Sequence, residues 1–318
     1  MTNPEQNVSA YAEKILAQVR QAIVGKDKVL LWVLASILAG GHILLEDIPG
    51  VGKTTMALGF SKTLGLQYSR VQFTPDVLPS DITGYTILDP KTQETSYRPG
   101  AVLCNLFLAD ELNRATSRTQ SALLEAMEEG QVTVDGITRA MAQPFMVMAT
   151  QNPIESYGTF PLPEAQMDRF FMRLSMGYME REQEMAVMAR PSTQALVQQL
   201  QAVVTLDEIM SLRSQIQEVH VSEDVAGFIL DIVQATRKQG ALVGGVSTRG
   251  AIALYKASQV TAAMAGRDYV IPEDVVKEAL PVLAHRLTTA SGSRADGESF
   301  LRDLIATLTV PLEDVKAV

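Results

Sequence analysis

The stretch "EDIPGVGKTT", residues 46–55, holds the side chains best suited to gripping a polyphosphate. In a loop between a strand and a helix, backbone N–H groups and the helix N-terminus converge on an anion. Gly50 and Gly52 let the backbone curl close to the phosphates, Lys53 is placed to reach the β- and γ-phosphates, and Thr54 to hold Mg²⁺ through its hydroxyl. Val51 and Thr55 complete the expected nucleotide-binding loop. The full pattern is G-x-x-x-x-G-K-[ST], and Asp47 stands where its first glycine belongs. Asp47 lies at a strand end, before Pro49, so its side chain can point away from the anion. The cradling amides come later, from position 49 onward, with Pro49 itself contributing none. The competing reading, a chance "GKT" on an ordinary turn, is disfavoured by the apolar strand before the loop and the helix after it.

A nucleotide site also needs a metal partner and a base. "LFLADE", residues 106–111, ends an apolar run with both. Asp110 is expected to bind Mg²⁺ through water, and Glu111 to orient and deprotonate the attacking water. Alone, an apolar strand ending in acids says little; downstream of a phosphate loop it says much more. A third strand ends in "MATQNP", where Asn152 can polarise the same water or touch the γ-phosphate. Taken alone, an Asn before Pro is a turn residue.

These residues need a sheet to bring them together. "HILLE", "QYSRVQF", "VLCNLFLADE", "PFMVMATQNP" and "FFMRLSM" read as strands, with helices expected over "GKTTMALGFSKTLG" and "TQSALLEAMEEG". The alternation predicts a parallel α/β sheet covered by helices. Chemistry in such sheets sits beyond the carboxyl ends of the strands. Residues 85–100 and 130–140 read as hairpins, turning at Asp89-Pro90 and Asp135-Gly136. After residue 177 strand signals fade, and helices are expected over 206–216, 222–238, 248–266 and 271–287. The chain is therefore divided into a core at residues 1–186 and an all-helical domain at 187–318. The apolar run 29–45 sits at the short limit for a membrane span. Gly40, Gly41 and His42 break it, which favours a buried helix followed by a core strand.

The stretches "IVGKDKVL", "PGVGKTT", "LFLADELNRATSRTQSALLEAMEEGQVTVDG", "MATQNPIESYGTFPLPEAQMDRFFMRL" and "GGVSTRGAIALYKAS" closely resemble the MoxR family of AAA+ ATPases, in the right order, over roughly residues 20 to 290. The resemblance implies an AAA+ core with one hairpin inserted in its second helix and another before the third motif strand, followed by a small all-α lid. It also implies ATP and Mg²⁺ as cofactors and a homo-oligomeric ring, often a hexamer, with nucleotide between neighbours. Ile23, Val24 and Gly25 match the stretch lining the adenine pocket. Arg169, in "DRF", matches the arginine finger reaching into the next subunit's site, with Arg173 as runner-up; from the sequence alone, Arg169 paired with Glu164 or Asp168 is the simpler expectation. Arg249, in "GVSTRG", matches a lid arginine that contacts γ-phosphate within its own chain, although Thr248 replaces a proline frequent in related chains. Proteins of this family are typically partnered with a von Willebrand factor A-domain protein and help mature client enzymes, often by metal insertion. The hairpins are candidate levers towards the client.

Composition narrows the rivals. The chain has 318 residues, 47% of them hydrophobic, enough for two domains. Its net charge of −9 and the lack of aromatic–basic interleaving disfavour a nucleic-acid motor. A chelatase-type motor subunit shares the architecture and remains an alternative, and a non-hydrolysing scaffold is disfavoured by Glu111. The single cysteine, Cys104, suits a reducing cytoplasm. The N-terminus has no basic start followed by an apolar run, so no signal peptide is expected. His42, His220 and His285 lack metal-ligand spacing.

Overall fold

The computed structural model describes residues 7–153, 158–190, 192–238, 242–289 and 294–311. Helix α1 (Val8–Arg20) starts at Asn7, whose side chain accepts the Ser9 N–H, and α2 (Asp27–Ala39) ends at Gly40 in the left-handed conformation. The apolar run thus breaks where its glycines stand, the N–H groups of Gly40 and Gly41 closing on the Ile37 and Ser36 carbonyls, and strand β1 (Ile43–Glu46) follows. Among the described residues no helix is long and apolar enough to cross a membrane.

After β1 come α3 (Lys53–Thr63), β2 (Tyr68–Gln72), α4 (Pro79–Thr83), a hairpin of β3 (Gly84–Leu88) and β4 (Thr95–Pro99), then β5 (Leu106–Asp110) and α5 (Ser117–Glu129). A second hairpin joins β6 (Gln131–Val134) to β7 (Ile137–Ala140). Its tip residues Asp135 and Gly136 have φ of 52° and 75°, the doubly left-handed turn that matches strand twist. The guanidinium of Arg139 stacks 3.6 Å over the Tyr97 ring and ties the two hairpins together. Strands β8 (Met146–Gln151) and β9 (Met172–Leu174) complete a five-stranded sheet in the order β2-β5-β8-β1-β9. All four pairings are parallel, so Asp110, Gln151 and Glu46 come out at the same edge. His42, just before β1, is half-buried; its Nδ1 accepts the Val147 N–H (2.9 Å), which leaves Nε2–H for the Met127 carbonyl (3.0 Å). Desolvation pushes its pKa down to about 4. It is a neutral structural residue. The Cys104 thiol is buried and pushed up to about 12 by desolvation, which fits a small core residue.

The short α6 (Glu164–Met167) lies between β8 and β9, and α7 (Arg181–Met188) and α8 (Thr193–Gln199) lie between sheet and lid. The expected division at 186/187 falls inside α7. The lid contains α9 (Leu206–Gln217), α10 (Glu223–Lys238), α11 (Thr248–Met264), α12 (Pro272–Leu283) and α13 (Arg294–Thr307). It also contains a short antiparallel pair, β10 (Leu242–Gly244) with β11 (Thr288–Thr289), beside its helices. Strands of two and three residues are too short to show alternation. Buried residues of α1, α2, α9, α10, α11 and α12 share one apolar cluster with the inner face of the sheet, so the N-terminal helices pack on the lid as well as on the core.

Within that cluster α12 buries Glu278, whose carboxylate accepts from Thr261 Oγ1 (2.9 Å) while its Oε2 has no hydrogen-bond partner among the described residues. Desolvation raises its pKa from 4.5 to about 7. An acid whose folded pKa is raised contributes stability that is complete below its unfolded value and lost as pH climbs through the folded one. Glu278→Gln is therefore expected to exceed the parent's stability at pH 8 by about 2 kcal/mol, with the gap closing towards pH 5. Thermal melts at the two pH values check this; equal gaps at both would contradict it.

Candidate nucleotide site

The phosphate loop leaves the carboxyl end of β1 and closes on α3. Gly50 (φ 85°) and Gly52 (φ 98°) adopt the left-handed conformation, and a side chain at Gly50 would meet nothing within 4 Å. Backbone geometry, not crowding, therefore demands glycine. Lys53 opens α3, with Thr54 and Thr55 behind it in the first turn and Val51 packed against the apolar core. The Lys53 ammonium donates to the Asp47 carbonyl (2.6 Å). Burial lowers its pKa, while the carboxylates of Asp47, Asp110 and Glu111 oppose the shift, which places all three close to one ammonium. The Asp47 side chain points away from the loop, as its position before Pro49 allows. What the sequence did not disclose is where it goes: it accepts from Ser175 Oγ (2.8 Å) and from the N–H groups of Met176 and Gly177, just past β9.

Asp110 ends β5 beside the end of β8. Its Oδ1 accepts from Thr150 Oγ1 (2.7 Å) and its Oδ2 from Arg70 Nη2 (2.7 Å). The Thr150 hydroxyl in turn accepts the Glu111 N–H (2.9 Å), so one side chain on β8 aligns both acids. Glu111 sits at φ 57°, a left-handed conformation that costs a non-glycine residue about 1 kcal/mol or more. The kink turns the chain out of the strand and aims Glu111 beyond the sheet edge, where its carboxylate pairs with Arg114 Nε (3.2 Å). Asn152 follows β8 directly and is buried, its carbonyl accepting from Asn113 Nδ2 (3.3 Å). The ends of β1, β5 and β8 thus bring together Lys53, Asp110, Glu111 and Asn152. Thr150 and Arg70 were missed. A lone threonine in the apolar "MVMAT", level with Asp110 once β5 and β8 are paired, is the signal that could have found the first; the polar edge strand β2 offers none for the second.

The residues fit a nucleotide triphosphate. Open space beside two left-handed glycines, a helix N-terminus and a half-buried, partly desolvated lysine form an anion cradle. The hydroxyl of Thr54 and the carboxylate of Asp110 are hard oxygen donors suited to Mg²⁺. In the stretch expected to line the adenine, Ile23 is buried, Val24 is half-buried, and Gly25 has φ 69° with the Gln183 carboxamide lying where a side chain would project.

Arg169 and Arg249 lie elsewhere. Both pair with Glu128 in the last turn of α5, Arg169 through Nε (2.7 Å) and Arg249 through Nη2 (2.5 Å). They line a cleft of about 340 Å³ with Gly40, Gly41 and His42, the residues leading into β1. The phosphate loop leaves the opposite end of that strand. With the lid docked at the amino ends of the strands, Arg249 stands away from its own phosphate loop. Ser247 Oγ and Arg286 both bind Asp168 there (3.0 and 2.8 Å), which brings Arg249 down beside Arg169. The simpler expectation for Arg169 is corrected, since its acid is Glu128 and Asp168 is taken by Arg286. Arg173 is nearly buried on β9, 3.8 Å from Glu46 of its own sheet.

A parallel sheet with a phosphate loop at one strand end, paired acids at the next and a helical lid behind defines a P-loop ATPase of the AAA+ class. Residues 42–172 match the ATPase family associated with various cellular activities (AAA), and residues 234–304 match the AAA lid domain. Chaperone MoxR1 of Mycobacterium tuberculosis is 37% identical over 94% of this chain and 82% of its own length. YeaC of Bacillus subtilis is 45% identical over 94% and 95%. The crystal structure of a protein from Cytophaga hutchinsonii classed as an ATPase superposes with a TM-score of 0.87 at 36% identity, covering 96% of this chain and 97% of that one. The chain belongs to the MoxR family of AAA+ ATPases, and its reaction is the hydrolysis of ATP.

Proposed function

We propose that the chain is an ATP-driven remodelling factor that works as a ring, with Mg²⁺ held by Thr54 and Asp110, in which each active site is completed by the neighbouring copy. The observation that carries this reading is the placement of Arg169 and Arg249 at the end of the sheet opposite Lys53 and Glu111. A subunit whose arginines lie so far from its own phosphate loop presents them to a second copy stacked head to tail, an arrangement that closes into rings. Within the site, Lys53 binds the β- and γ-phosphates, Glu111 takes the proton of the attacking water, and Asn152 orients that water. Thr150 holds the two acids in register. Bound Mg²⁺ neutralises charge on the phosphate oxygens. Arg169 and Arg249, released from Glu128, balance the charge that builds on the neighbour's γ-phosphoryl group.

The client is reached through a partner, on this proposal a von Willebrand factor A-domain protein, and the task is the maturation of client enzymes, in some cases by metal insertion. The relative named as a chaperone supports the remodelling half of this reading. The tied hairpins, exposing Tyr85, Leu88 and Ile137, are the levers that pass hydrolysis to the client. In a pull-down with the Glu111→Gln variant, the partner is expected to elute with ATP and not with ADP. Deleting residues 87–99 is expected to abolish this retention while basal hydrolysis persists, because Lys53, Asp110 and Glu111 lie outside the hairpin. Absence of the partner from both eluates, or client activation without hydrolysis, would return the reading to its rivals. Porphyrin-dependent turnover would favour a chelatase motor, and DNA-stimulated turnover a nucleic-acid motor.

A further inference from the structure

Between Leu174 at the end of β9 and Arg181 at the start of α7, the chain crosses from the sheet towards the lid with no ladder or helix to satisfy its backbone. Such a segment must find its hydrogen bonds elsewhere. Two charged side chains supply them. The Asp47 carboxylate accepts from Ser175 Oγ and from the N–H groups of Met176 and Gly177. The Lys26 ammonium donates to the carbonyls of Met176 (2.7 Å), Gly177 (2.9 Å) and Tyr178 (3.0 Å), which uses all three of its protons. Asp47 is 7% exposed and Lys26 6%. A buried charge without a partner is strongly unfavourable, so each of these makes the other tolerable, and between them they hold both hydrogen-bonding edges of one short segment.

The same two residues touch the nucleotide site from opposite sides. Lys26 follows the adenine-side stretch Ile23–Gly25. Asp47 carries the Lys53 ammonium on its main-chain carbonyl. One residue thus has the phosphate-loop lysine on its backbone and the core–lid crossing on its side chain.

We propose that Asp47, with Lys26, is a positioning residue for hydrolysis: it fastens the 175–178 crossing to the phosphate loop, so that the lid follows what Lys53 binds. This rests on the reading of residues 50–55 as the nucleotide site. A triphosphate draws Lys53 off the Asp47 carbonyl, the loop at Asp47 readjusts, and the carboxylate carries that shift into residues 175–177. Glycine at position 47 would serve the phosphates equally well, because the cradling amides begin beyond it, and would leave the crossing unfastened.

Hydrogen–deuterium exchange of residues 175–183, measured with and without ATP in the Glu111→Gln chain, reads the coupling directly. ATP is expected to change protection there. Asp47→Gly in that background should abolish the ATP-dependent change, and in the otherwise native chain it should lower kcat by roughly ten- to a hundredfold, as misplacement relayed from outside the chemistry does, with KM much less affected. Asp47→Asn, which keeps one oxygen for the same donors, should recover part of both. Should Asp47→Gly fail to fold, Ser175→Ala removes one donor from the crossing and should diminish the ATP-dependent change by itself. Wild-type kcat together with a wild-type exchange response in Asp47→Gly, or an undiminished response in Ser175→Ala, overturns the proposal. Wild-type ATP affinity in Lys53→Ala would instead remove the nucleotide-site reading beneath it.

Discussion

Glu111→Gln is expected to bind ATP as the parent does and to hydrolyse it about 10²- to 10⁴-fold more slowly, the usual loss when a general base is removed. The substitution keeps the shape of the side chain and the Glu111 N–H bond to Thr150, so the kinked backbone that aims position 111 beyond the sheet is preserved. Only the proton acceptor is lost. Lys53→Ala acts on the other side of the reaction. It removes a cation already half-buried in the cradle, and ATP affinity should fall by roughly ten- to a hundredfold, the worth of a hydrogen bond to a charged group. Titration with a fluorescent ATP analogue and phosphate release under saturating ATP separate the two effects. Turnover at the parent's rate in Glu111→Gln would reassign the base; unaltered affinity in Lys53→Ala would show that the phosphates sit elsewhere.

What the sequence disclosed about this site follows from which interactions are local. Gly50, Gly52 and Lys53 declare themselves because a left-handed turn into a helix N-terminus is encoded within a few residues, and the acidic ends of "LFLADE" and the "QNP" after "MVMAT" mark strand ends in the same way. Both hairpins were legible from their turn residues, and four lid helices from their periodicity and caps. The residues that were missed all find their partners across the fold. Thr150 and Arg70 each meet Asp110 forty positions away, and only the strand order β2-β5-β8 makes them neighbours. Lys26 meets Met176 across 150 positions. Arg249 shows the limit most clearly. Its place at the start of a lid helix was readable, but where that helix docks depends on Ser247 and Arg286 binding Asp168, at separations of 79 and 118 residues. A one-dimensional motif fixes the residue; the docking decides which nucleotide it faces. Helices α7, α8 and α13 went unread because they are short or weakly patterned, and α7 carries no buried residue to set an apolar stripe; α1 went unread too, although Val8, Ala12, Ile15, Leu16 and Val19 give it one.

That docking leads to the second large effect. Arg169→Ala and Arg249→Ala should each retain ATP binding, since neither side chain lies near its own phosphate loop, and Arg169→Ala should lose hydrolysis by about 10³-fold or more, as removal of an arginine finger does. A residue acting within its own chain and one acting on a neighbour give the same result in a pure sample, and mixing tells them apart. A ring containing Arg169→Ala and Glu111→Gln subunits has interfaces where an intact Glu111 faces an intact Arg169. With random head-to-tail assembly at equal ratio these are roughly a quarter of all interfaces, so a comparable share of parental activity should return from two inactive proteins. Arg249→Ala mixed with Glu111→Gln should recover in the same way, because both arginines reach out from Glu128. Had Arg249 served its own nucleotide, every subunit in that second mixture would lack either its base or its lid arginine, and no activity would return. Hydrolysis per subunit should also rise with protein concentration, since a lone copy holds half a site. No recovery at any ratio, with subunit exchange confirmed by a labelled copy, would place both arginines outside the shared site and leave their common hold on Glu128 as a purely structural clasp between core and lid.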